Sequence, residues 1–190
     1  MVQMQDLPRD VKETGLGVIV AVLAVVVNDW LRFTLGPESD WWEEARQTTV
    51  PVIHDIVDGF GGYASYPMED DEYAGTMPMH PEEAERRLAS EGFIRNPIAA
   101  LKTREGADGE TEMEVGSWVY REKKTARRQL HVMLFRNPTD GETHTDLYAH
   151  EEYSSLNPRV AYEHYTAEDY DPETGIERVT TIFDLEQPNQ

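Results

Sequence analysis

The chain has 190 residues, of which 37 are acidic and 17 basic, giving a formal net charge of -20, and it contains no cysteine. That length suits one compact domain, or a domain with an appended helical segment, and the missing cysteines exclude disulfides, thiolate nucleophiles and Cys-ligated zinc. Only Lys12, Lys102, Lys123 and Lys124 are lysines, the remaining cations being arginines.

Carboxylates hold water and hydrated cations, whereas a lysine exposes a long apolar stem, so this balance points to a protein of an extreme halophile. In molar salt the Debye length is about 3 Å, which screens the self-repulsion of so acidic a chain. The acid is spread along the chain rather than confined to a tail.

Residues 16–27 read LGVIVAVLAVVV, without a polar side chain. As a helix they rise about 18 Å, short of the ~30 Å hydrocarbon core, so a membrane span must extend to Leu35 and take Asn28, Asp29 and Arg32 with it. Leu16, Val18, Ile19, Val20, Val22, Leu23, Val25, Val26, Val27, Trp30 and Phe33 are the anchoring candidates. Three readings stand: membrane contact, a helix buried in a core or oligomer interface, and a buried strand. The leading residues are not positive and no small-x-small site follows, so no cleavable signal peptide is expected. The localisation is then cytoplasmic, membrane-associated or within a larger assembly such as a virion.

Gly36-Pro37 ends this element, and a second helical stretch follows, capped by Ser39 or Asp40 and interrupted at Pro51. Residues 59–80, rich in Gly, Pro and Tyr, read as a loop between a segment at 1–58 and an α+β domain at 81–190. Pro81 at a first helical position, with Glu82 and Glu83 behind it and Gly92 as terminator, predicts a helix with Ala84, Leu88 and Phe93 inward. Asn96-Pro97 predicts another.

Strand patterns follow at 113–121, 128–136, 143–153, 159–168 and 176–185. Asn137–Gly141 and Asp171–Gly175 both carry hairpin turn chemistry. The fold class is therefore α+β: an N-terminal helical segment, then a roughly five-stranded antiparallel meander with helices on one face.

Strand parity decides which side chains can meet. Leu130, Val132 and Leu134 share one face, and His131, Met133 and Phe135 the other. In the next strand Leu147, Ala149 and Tyr153 look inward, leaving His144, Asp146, Tyr148, His150 and Glu152 opposite. If the two strands pair, His131 approaches Tyr148 or His150, and the metal-ligating candidates are His131, His144, Asp146 and His150, with Glu152 as another carboxylate. The competing reading is an aqueous face that is simply acidic. His164 reads as an inward histidine among Val160 and Tyr162.

No nucleophile elbow, phosphate loop or paired metal-ligand motif is present, and no cofactor is expected. The most distinctive feature is REKKTARR at 121–128, where Arg121, Lys123, Lys124, Arg127 and Arg128 concentrate charge at a hairpin tip. These suit phosphates, lipid headgroups or an acidic protein surface. The reading preferred from the sequence is a non-catalytic structural or assembly protein with protein partners or copies of itself. A nucleic-acid module with a recognition helix at 97–104, and a metal-dependent enzyme using the sheet histidines, are the alternatives.

Overall fold

The computed structural model describes residues 67–96, 102–106, 109–139, 143–165 and 168–185. The two apolar and aromatic segments at 16–35 and 38–58, with every anchoring candidate, lie outside the described residues, as does the helix expected from Pro97.

Two long strands form the centre: β6 (Arg128–Arg136) and β7 (Thr145–Tyr153). They pair antiparallel over their full length, with β5 (Gly116–Tyr120) on the far side of β6. β1 (Tyr73–Met77) and β2 (Ile94–Arg95) complete a five-stranded sheet in the order β1-β7-β6-β5-β2, all antiparallel. A second ribbon joins β3 (Thr103–Glu105) to β4 (Thr111–Met113). The described domain is thus α+β, built on antiparallel sheet.

β1 lies within the stretch that reads as a loop in the sequence. Its Gly75 has φ 129, the pairing register shifts there, and the strand has no apolar alternation to betray it. The sheet domain therefore takes in residues before Pro81.

Helix α1 (Pro81–Ser90) forms as expected, with Pro81 in its first turn and Ala84 and Leu88 wholly buried. Two expected strands are instead helices: α2 (Ala161–Tyr165) and α3 (Pro172–Phe183). The Asp171-Pro172 pair that resembles a hairpin turn is a helix start. Asp171 accepts from the Thr174 N–H, and Pro172 occupies the first turn, where its missing N–H costs nothing. Ile176, Val179 and Phe183 then fall on one helical face. The strand expected at 113–121 is broken at Glu114, and Thr103–Glu105, where the recognition helix expected at 97–104 would end, is a strand, residues 97–101 lying outside the described residues.

The main core lies on one face of the sheet, where Leu130, Val132, Leu134, Leu147 and Ala149 meet Ala84, Leu88 and Val179. Fully burying each Leu or Val side chain contributes about 1.5–3 kcal/mol. The opposite face carries a smaller apolar cluster, Met68, Met133, Phe135 and Tyr148. Helices do not keep to one face: His164 of α2 approaches Glu152, on the face away from the main core.

Candidate functional site

β6 and β7 pair so that His131 stands directly opposite His150, their rings edge to face with centroids 5.0 Å apart. Alternation puts His131 with Met133 and Phe135, and His150 with Asp146, Tyr148 and Glu152, as the parity argument expects. This face is not aqueous. His150, His131 and Glu152 are buried at 0%, 4% and 7% exposure, and the Tyr170 ring lies 4.4 Å from that of His150.

A layer of hydrogen bonds fixes each group. His150 Nδ1 lies 2.9 Å from Glu72 Oε1. With the Glu72 oxygen as acceptor, Nδ1 is the donor in this pair. Glu72 is held in turn, since its Oε2 accepts the Glu69 N–H at 2.9 Å within the capping box of a 3-10 turn, Asp70–Glu72. His131 Nε2 and the Ser117 hydroxyl are 2.7 Å apart. Gln129 donates from Nε2 to Glu152 Oε1 at 2.6 Å, and its own carbonyl oxygen accepts from Arg121 Nε at 2.8 Å.

Three imidazoles surround the Glu152 carboxylate. His131 Nδ1 is 3.3 Å from Oε1, while His150 Nε2 and His164 Nδ1 are 3.6 and 3.2 Å from Oε2. Yet neither His150 Nε2 nor His164 Nδ1 makes a hydrogen bond in this arrangement. His131, His150 and Glu152 each offer a ligand atom within 4.8 Å of the others, so this trio could hold a metal ion.

Burial pushes His131 down to about 4, against the pull of Glu152, so it is neutral. Burial also opposes charge on His150, but its contacts with Glu152 and Glu72 outweigh this and raise its pKa. Desolvation opposes ionisation of Glu152 as well, and the surrounding imidazoles nonetheless hold it well below the usual carboxylate range. Buried Lys102 is lowered by desolvation in spite of Glu152 and Glu72 nearby.

Asp146 and His144, expected to share this site, lie elsewhere. Asp146 stands four positions before His150 along β7, about 13 Å away. Asp146 instead accepts from Arg104 at 2.8 Å, from Thr76 at 2.6 Å and from Asn137 at 2.8 Å. His144 precedes β7, with its Nδ1 2.8 Å from the Thr143 hydroxyl. Glu72 and His164 are the additions. Nothing in the acidic run at Glu69 marks Glu72, whereas Gln129 shares its strand face with His131 by simple parity.

The basic segment divides. Arg121 donates to Gln129 and Ser154, and Arg128 to Glu151 and Asp169. Lys123, Lys124 and Arg127 are exposed in the turn between β5 and β6. No family model, curated protein or solved structure matches this chain.

Proposed function

We propose that this chain is a non-catalytic structural or assembly protein working in concentrated salt, with its apolar N-terminal stretch as anchor and its acidic domain facing solvent. The observation that supports it best is the division of the basic segment. Arg121 and Arg128 brace the base of the hairpin, while Lys123, Lys124 and Arg127 are exposed in its turn. Lys102 is buried, so among the described residues these two lysines are the exposed ones. Exposed carboxylates stand elsewhere on the described domain, including Glu82 and Glu83 of α1, Glu105 of β3, and Glu173 and Glu177 of α3.

An exposed cationic tip on an acidic body fits the acidic surface of a protein partner or of another copy. In molar salt the long-range field is screened, so the tip acts by direct contact rather than by steering. The sheet histidines do not favour the enzyme alternative, because a catalytic metal centre keeps an open coordination position and this cluster is closed over. Among the described residues no helix is long and apolar enough to cross a membrane.

Light scattering on the full chain in about 3 M KCl, without detergent, tests the reading. Particles larger than a monomer, reduced in size by the triple change K123Q/K124Q/R127Q, are expected. A wild-type chain that stays monomeric as its concentration rises overturns the assembly role, and an assembly indifferent to the triple change overturns the contact assigned to the tip.

A further inference from the structure

We propose that His131, His150 and Glu152, with His164 at the fourth corner, bind one divalent first-row transition cation of the zinc type. His150 carries the argument. Its Nδ1 proton is committed to Glu72, which leaves Nε2 facing Glu152 in a fully buried position with no hydrogen bond. A buried polar atom without a partner is destabilising, and a cation at this point removes that cost.

The spacing agrees. Four donors at 2.0–2.2 Å around a tetrahedral ion stand roughly 3.3–3.6 Å from one another. His131 Nδ1 lies 3.3 Å from Glu152 Oε1, His150 Nε2 and His164 Nδ1 lie 3.6 and 3.2 Å from Oε2, and the ligand atoms of His131, His150 and Glu152 all fall within 4.8 Å of one another. The His150 approach is too long for a hydrogen bond and the His164 approach makes none, so the nitrogens are gathered around the carboxylate without being satisfied by it.

The supporting groups are those that metal-ligating side chains need. A carboxylate–histidine pair orients His150, Ser117 fixes His131 through the other ring nitrogen, and Gln129 aims Glu152. Imidazole and carboxylate donors without thiolate suit zinc or cobalt, whereas magnesium and calcium take oxygen ligands. Occupancy releases the protons these imidazoles hold and ties β6, β7 and α2 together. In a chain without cysteine the ion serves as the staple. His164, whose side chain is 21% exposed, is the corner nearest solvent.

The probe is cobalt(II) titrated into the metal-stripped full chain in about 3 M KCl, which suppresses loose binding to surface carboxylates. One equivalent with the intense visible absorption of a tetrahedral ion is expected, displaced by zinc. H150Q and H131Q should weaken binding more than about 100-fold, and Glu72→Gln about 10- to 100-fold, while H144Q and H80Q leave it unchanged. Since H150Q removes a buried group, circular dichroism accompanies each variant, and H164Q, at the rim, supplies a folded control that loses the tetrahedral spectrum. A wild-type chain that takes up no cobalt, gives only the weak bands of an octahedral ion, or binds equally well as H131Q and H164Q overturns the proposal.

Discussion

Gly175 of α3 rests against the backbone of His150 in β7, so closely that a Cβ at position 175 would overlap the His150 Cα and stand 2.6 Å from its carbonyl carbon. The helix reaches the strand only because this residue has no side chain. Gly175→Ala must push α3 away from β7, and with it Ile176 and Val179 from the main core. Forced shifts of this kind cost about 1–3 kcal/mol, occasionally more. Urea unfolding should show a lowered midpoint with an unchanged slope, and an unaffected midpoint would mean that the helix does not sit so close.

Asp171 caps the same helix, accepting from the Thr174 N–H at 3.0 Å and from its hydroxyl at 2.7 Å. Asp171→Ala should lower stability by about 1 kcal/mol. Those two hydrogen bonds also pull the Asp171 pKa below its ordinary value. Because the folded value lies below the unfolded one, the stabilisation is complete above about pH 4 and disappears as pH falls through the folded value. Asp171→Asn keeps an acceptor that does not titrate, so the acid limb of its stability curve should be shallower than that of the wild type. Parallel curves would remove Asp171 from the acid response.

These same residues show where the sequence is legible. The strict period of two in Leu130–Phe135 and Leu147–Glu152 places each side chain on its observed face, because both strands are long and carry apolar residues at alternate positions. Asp171-Pro172 does not discriminate in the same way, since an acceptor followed by proline opens a type I turn and a helix equally well. The deciding signal lay further on, in the spacing of Ile176, Val179 and Phe183. Burial of the histidine face could not be read at all. Part of its cover comes from groups remote in sequence, such as Glu72, which is 78 residues from His150, and Tyr170 beyond α2.

Arg104 is held away from the histidines by buried contacts. It pairs with Asp146 at 2.8 Å, with side-chain exposures of 8% and 6%, and its guanidinium lies 4.8 Å from the centre of the Phe135 ring. Arg104→Met leaves the Asp146 charge buried without its partner and should destabilise by about 3–5 kcal/mol. The double change R104M/D146N should recover part of that loss, and the coupling should be nearly the same in dilute and concentrated KCl because buried pairs are poorly screened. A loss that vanishes in concentrated salt would show that the pair is open to solvent.

The basic segment yields a sharper contrast, because five cations close in sequence are expected to fall into two classes. Lys123, Lys124 and Arg127 are exposed, so K123Q/K124Q/R127Q should leave the unfolding midpoint within about 0.5 kcal/mol of wild type. Arg128 bonds Glu151 at 3.0 Å and Asp169 at 2.7 Å, and packs 5.1 Å over the Tyr153 ring. Arg128→Gln therefore loses ion pairs and packing together, and leaves Glu151 to Arg178 alone. It should cost about 1–2 kcal/mol, a partly exposed arginine losing less than a buried one. Thermal melts of the full chain in concentrated KCl separate the two sets. If the tip variant melts as early as Arg128→Gln, the tip is structural, and an assembly defect in that variant reflects unfolding rather than a lost contact.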